Sequence, residues 1–104
     1  MWLFTKNSFV SVVQHRTQPD NVLVRARVKS HLARLFPQKQ MQADDEADYR
    51  YRIVVSKEEF ATVVSDYIMQ NLDYDNFKAA QDTDDPAWTR FLHEVWGEGL
   101  RLQK

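Results

Sequence analysis

Hydrophobic positions in the first half of the chain follow the two-residue period of β-strands. Residues 9–14 are β-branched and aromatic, which predicts a strand continuous with residues 2–5 through an irregular stretch at residues 6–8. Residues 21–28 and 48–55 alternate small or apolar side chains with larger or charged ones, and they form the second and third predicted strands.

Turn and helix signals separate these strands. The Gln-Pro-Asp-Asn sequence at residues 18–21 favours a turn, so the first two strands are expected to form an antiparallel hairpin. Apolar residues then recur at helical spacing over residues 28–36, and Pro37 ends that run. The polar and charged residues 38–48 predict a mobile loop.

The second half of the chain has the pattern of two amphipathic helices. Ser56 with Glu59 three residues later forms a capping-box signature, which predicts that a helix starts there. Asp85 followed by Pro86 predicts the start of the last helix, because proline suits the first helical position. Gly97 or Gly99 is expected to end or loosen it.

The element order β-β-α-β-α-α predicts an α+β fold, a two-layer sandwich in which a small sheet carries helices on one face. A length of 104 residues favours a single domain over residues 1–104. The expected core residues share the apolar faces of these elements; they are Val22, Val24, Leu32, Leu35, Ile53, Val55, Phe60, Val64, Ile68, Phe91 and Val95.

Composition excludes several kinds of chemistry. The sequence has no cysteine, and its two glycines both lie near the C-terminus, at Gly97 and Gly99. Phosphate-binding loops and the nucleophile elbow need glycine, so a P-loop, a dinucleotide fingerprint and a serine-hydrolase elbow are absent. No catalytic signature remains, and we expect a non-enzymatic protein without a cofactor or metal ion.

The absence of cysteine fits a reducing compartment. Residues 1–6 are apolar but too short for a signal peptide, and no apolar run approaches the length of a membrane span. We therefore expect a cytoplasmic protein that does not bind membranes.

Four arginines follow the strand alternation. Arg25 and Arg27 share one face of the second predicted strand, and Arg50 and Arg52 share one face of the third. In one sheet, all four would project from the face opposite the helices. Arginine suits planar recognition of phosphate or carboxylate, and a basic sheet with aromatic neighbours is one way to bind single-stranded nucleic acid. The same pattern is also ordinary on a solvated sheet face, where the acidic residues 44–46 would neutralise it.

Aromatic residues in the second half form another candidate surface. Tyr74 and Phe77 lie in a helix break, whereas Trp88 and Trp96 lie on the last helix. They are expected to pack in the core, or to form a partner interface where the small domain leaves them exposed. The helix break lacks the glycine and closing glutamate of a calcium loop.

Several blocks of the sequence, MWLFT, FVSVVQ, VRARV, DYRYR and DYDNFK, resemble the successive blocks of a small uncharacterised bacterial family. The likeness covers nearly the whole chain. It implies a bacterial or phage source, and no activity or functional residue comes with it.

Two functions follow as expectations from these observations. The first is a non-enzymatic interaction or regulatory domain that contacts a protein partner or forms a homodimer. The alternative is a nucleic-acid- or anion-binding module that uses Arg25, Arg27, Arg50 and Arg52.

Overall fold

The protein has an α+β fold built around a five-stranded antiparallel sheet with the strand order β1-β2-β3-β5-β4. A computed structural model describes residues 1–103. Within that range the elements are β1 (Trp2–Phe4), β2 (Phe9–Gln14), β3 (Asn21–Ala26), α1 (Lys29–Leu35), β4 (Gln42–Ala43), β5 (Tyr51–Ser56), α2 (Lys57–Asn71) and α3 (Pro86–Leu100). The predicted fold class is confirmed.

The chain divides into two compact units, Met1–Asp73 and a second that starts at Tyr74. The first contains the sheet with α1 and α2, and the second contains α3. The expectation of a single domain stays a prediction.

The core of the first unit lies between one face of the sheet and the helices α1 and α2. It is made by alternate residues of three neighbouring strands together with apolar helix residues: Val10, Val12, Val22, Val24, Ala26, Leu32, Phe36, Ile53, Val55 and Phe60. Burial of these side chains is the main force that holds the helices on the sheet. The opposite face of the sheet carries a different set of residues.

Both predicted helix starts are confirmed. The Ser56 hydroxyl oxygen accepts a hydrogen bond from the Glu59 backbone N–H at 3.0 Å. The Asp85 carboxylate accepts one from the Ala87 N–H at 3.0 Å, and Pro86 takes the first helical position. Each cap satisfies a backbone donor that has no partner inside its helix.

The prediction that residues 2–14 form one continuous strand is wrong. β1 and β2 are separate strands that form a hairpin, with Phe4 directly opposite Phe9. Polar groups close the turn, because the Thr5 N–H donates to the Ser8 carbonyl at 2.9 Å and the Thr5 and Ser8 hydroxyls bond each other. Hydrogen bonds of hydroxyl side chains therefore stabilise this turn, and no residue in it has a positive φ.

The region before β5 also differs from the prediction. The expected loop at residues 38–48 contains the short strand β4, which pairs with β5. β5 starts at Tyr51 rather than at Asp48. The preceding backbone leaves the strand path, and the carbonyls of Asp48 and Tyr49 accept hydrogen bonds from arginine side chains.

Two of the expected core residues are exposed. Ile68 is 48% exposed and Val95 is 37% exposed. The core extends along α2 from Phe60 only to Val63 and Val64, which pack against it while partly buried. The apolar stripe of α2 therefore continues beyond the part of the helix that covers the sheet.

Candidate functional site

Two arginines meet at the centre of the sheet. Arg25 of β3 and Arg52 of β5 are direct partners in the antiparallel pair, so both side chains leave the same face. Their neighbours Val24 and Ile53 are also partners, and both belong to the core on the opposite face. The expectation that this arginine pair projects away from the helices is confirmed.

Neutral oxygen atoms hold the arginine side chains on this face. Arg25 Nη2 donates to the Ser11 hydroxyl at 2.8 Å, and Arg52 Nη2 donates to the Tyr49 carbonyl at 3.0 Å. Arg27 Nε donates to the Asp48 carbonyl at 3.1 Å. These bonds fix the guanidinium groups without neutralising their charge.

Tyr49 is the centre of the cluster. Its ring is buried, and its centroid lies 4.7 Å from the Arg25 guanidinium carbon and 4.6 Å from that of Arg27. Cations at this distance from an aromatic face are attracted by its quadrupole. Tyr49 lies outside β5, which starts at Tyr51, so its side chain does not follow the alternation expected for a strand over residues 48–55.

Aromatic rings extend the cluster towards the edge of the sheet. The Phe9 ring centroid lies 6.4 Å from that of Tyr49, 4.6 Å from that of Phe4 and 5.7 Å from that of Trp2. Trp2 is 65% exposed, whereas Phe9 is buried. We call Trp2, Phe4, Phe9, Arg25, Arg27, Tyr49 and Arg52 the arginine–aromatic face.

Charge on this face is not balanced by carboxylates. Among the described residues, the ion pairs are Lys6–Asp73, Lys39–Glu59, Arg50–Asp45 and Arg101–Glu98. None of them includes Arg25, Arg27 or Arg52. The Nε atoms of Arg25 and Arg52 are in addition buried without a hydrogen-bond acceptor.

Arg50 is separate from the other three predicted arginines. It precedes β5, and its Nε lies 3.2 Å from an Asp45 carboxylate oxygen. One of the acidic residues at 44–46 therefore neutralises Arg50, as the sequence allowed. Sequence reasoning did not place Tyr49, Trp2, Phe4 or Phe9 on this face. Phe9 and Ser11 alternate with the core valines of β2, so they lie on the face opposite the core. Placing the aromatic residues there required the pairing register of the strands, which the sequence pattern did not provide.

The second unit contains the other predicted site residues. Trp88 is buried, and its indole N–H donates to the Gln81 side-chain oxygen at 3.0 Å. Trp96 is 53% exposed, and the Lys78 ammonium lies 3.8 Å from its ring centroid. Tyr74 and Phe77 are partly buried, with ring centroids 6.1 Å apart. The two tryptophans of the second unit therefore differ in exposure: Trp88 is buried, whereas Trp96 is exposed and Lys78 covers one side of its ring.

A shallow apolar groove of about 430 Å³ lies along α2, lined by Met1, Phe60, Ala61, Val64, Ser65, Ile68 and Met69. Exposed apolar surface of this kind is common at protein contacts. Across residues 1–103, no group of histidine and acidic side chains is arranged to hold a metal ion. No helix in that range is long and apolar enough to cross a membrane.

The chain matches no family model, no curated protein and no solved structure. Its function must therefore be inferred from the geometry of the chain itself. The resemblance to a small uncharacterised bacterial family stays a prediction.

Proposed function

We propose that this protein is a non-enzymatic binding domain whose arginine–aromatic face captures an oxyanion, a phosphate or carboxylate group. The observation that carries the proposal is the Arg25–Arg52 pair. Like charges directly opposite each other on neighbouring strands destabilise a sheet. In the described residues these two have no carboxylate partner, and each has an Nε–H without an acceptor.

An anion at the outer nitrogens of these guanidinium groups offsets the repulsion between the two cations. The buried Nε donors, each of which costs about 1–3 kcal/mol without an acceptor, show that the cations are held in place without full compensation. Arginine presents a planar fork of N–H donors that matches two oxygens of a phosphate or carboxylate. The bonds to Ser11 and Tyr49 already fix the forks, so little side-chain entropy remains to be lost on binding.

A third cation strengthens the site. Arg27 is exposed, and its guanidinium carbon lies 4.6 Å from the centroid of the Tyr49 ring that Arg25 also contacts. Its bond to the Asp48 carbonyl uses Nε and leaves the outer nitrogens for a ligand. We expect Arg27 to contact the solvent side of the anion.

Arginine side-chain NMR tests this proposal. The protein is titrated with inorganic phosphate at constant ionic strength, and the Nε–H signals are followed. Burial of the Arg25 and Arg52 Nε atoms slows exchange of their protons with water, so their signals are observable. We expect both to shift and to saturate.

The matched control is Arg16, an exposed arginine in the turn between β2 and β3. Arg16→Gln should leave the titration unchanged, whereas Arg25→Gln should abolish the shift at Arg52. Shifts that sodium chloride reproduces at the same ionic strength would rule out the proposed anion site.

A further inference from the structure

The exposed ring of Trp2 lies on the same face of the sheet as Arg25, two strands away. Trp2 is directly opposite Ser11 in the β1–β2 pair, and Ser11 is in turn opposite Arg25 in the β2–β3 pair. The three side chains therefore share one face and lie on three adjacent strands. Trp2 keeps 65% of its surface in water although it contacts Phe9.

Aromatic rings connect the tryptophan to the guanidinium groups without a gap. Successive ring contacts lead from Trp2 to Phe9 and from Phe9 to Tyr49, and Tyr49 contacts Arg25 and Arg27. The surface thus has a planar apolar end at the edge of the sheet and a cationic end at its centre. A ligand that fills both ends must carry a flat unsaturated group and an anion.

We propose that this ligand is a single-stranded nucleic acid, with Trp2 stacking on a base while Arg25, Arg27 and Arg52 contact phosphates. This inference rests on the proposed anion-binding function. Single strands expose base faces that stack on aromatic side chains, and their backbone follows cationic surfaces. Stacking of this kind tolerates any sequence, because every base has a π-face.

Other anions use only part of the face. Free phosphate or an acidic peptide neutralises the guanidiniums but gives Trp2 no partner. A duplex hides its base faces inside the stack, so it also contacts only the cations. The short span from Trp2 to Arg27 suits about two to four nucleotides, as in other sheet surfaces that stack bases.

Fluorescence anisotropy with labelled oligonucleotides of about ten residues tests the inference, a length within the usual site sizes of single-strand binders. The probes are oligothymidine, its duplex with oligoadenosine, an abasic deoxyribose-phosphate strand and oligoglutamate. We expect oligothymidine to bind tightest. Its affinity should fall with salt with a log–log slope of about −2, the value for three phosphate contacts on a single strand.

Substitutions of Trp2 and Arg27 separate the contribution of stacking to the binding affinity from the contribution of charge. Trp2→Ala should weaken binding of oligothymidine by about 5- to 100-fold, and Trp2→Phe should retain most of the affinity. Trp96→Ala removes a tryptophan of similar exposure in the second unit and should have no effect. Arg27→Gln should weaken all anionic probes and reduce the salt slope by about 0.7. A urea melt of each variant verifies that it is folded.

The outcomes distinguish the inference from the function on which it rests. Equal binding of the abasic strand or of oligoglutamate overturns the nucleic-acid inference and leaves the anion site intact. An unchanged affinity in Trp2→Ala also overturns it. If none of the probes binds and inorganic phosphate gives no Nε–H shift, both proposals fail.

Discussion

Arg25 and Arg52 face each other across the pair of strands β3 and β5, and each donates its side-chain hydrogen bond to a neutral oxygen. Two cations at the centre of a sheet without an acid between them are unfavourable in the free protein. We therefore expect the stability of the protein to depend on the anion present in solution.

Phosphate should stabilise the protein through this pair. Binding only to the folded state at about ten times the dissociation constant adds about 1.4 kcal/mol, or about 6 °C in Tm for a chain of this size. In the double variant Arg25→Gln/Arg52→Gln, phosphate should raise Tm only through its general exclusion from the protein surface, which stabilises folded proteins without a binding site. Differential scanning calorimetry in phosphate and in chloride of equal ionic strength measures the difference. Equal gains in wild type and double variant would contradict the prediction.

Tyr49 should be important for stability through its ring rather than its hydroxyl. The ring is buried against Phe9 and two guanidinium groups, and no hydrogen bond of the hydroxyl is found among the described residues. Tyr49→Ala should reduce the free energy of unfolding by about 3–5 kcal/mol, the usual cost of deleting a large aromatic side chain. Tyr49→Phe should cost less than about 1 kcal/mol, since it keeps the ring and the cation contacts. Urea denaturation measures both, and a large loss in Tyr49→Phe would show that the hydroxyl is needed.

Two isoleucines provide a matched test of the core. Ile53 on β5 is 2% exposed, whereas Ile68 on α2 is 48% exposed. Ile53→Ala should cost about 2–5 kcal/mol because it opens a cavity, and Ile68→Ala should cost less than about 1 kcal/mol. Equilibrium unfolding in urea compares them, and similar losses would mean that the α2 stripe is covered in solution.

Asp73 should titrate below the ordinary range of an aspartate. The Lys6 ammonium lies 2.7 Å from its carboxylate, and this hydrogen bond lowers the pKa of Asp73 below its ordinary value of 3.8. Because the folded pKa is depressed, the pair stabilises the fold above the unfolded pKa, and that contribution is lost as the pH falls through the folded pKa.

Carbon-detected NMR of the Asp73 carboxyl across an acid titration measures this shift. Lys6→Met should return the midpoint towards 3.8, whereas Lys39→Met, which removes the cation next to Glu59, should leave it unchanged. A midpoint at or above 3.8 in the wild type would show that the ion pair does not form in solution.

The sequence was sufficient to predict those features that depend on residues close together in the chain. Ser56 and Asp85 cap their helices through side chains that bond the backbone two or three residues later, and such caps have local signatures. The alternation of β3 was sufficient to place Arg25 on the face of the sheet that does not carry the core valines. The α+β class followed from the order of these elements.

Features that depend on distant residues were not predictable. Tyr49 precedes β5, and its ring contacts Arg25 of β3 and Arg27, which are far from it in the sequence. The position of Trp2 on the arginine–aromatic face depends on the β1–β2 register, which no glycine or Asn-Gly signal marked. The exposure of Ile68 depends on where the sheet ends beneath α2, and an apolar stripe does not contain that information.

Ser56 is both the last residue of β5 and the N-cap of α2, so strand and helix join without an intervening linker. At a junction of this kind only the backbone angles at Ser56 and Lys57 can absorb a change in the direction of α2. Arg52 lies four residues before that junction, on the face of the sheet opposite the helix. A single continuous backbone segment of four residues therefore connects the helix on one face of the sheet to the arginine on the other.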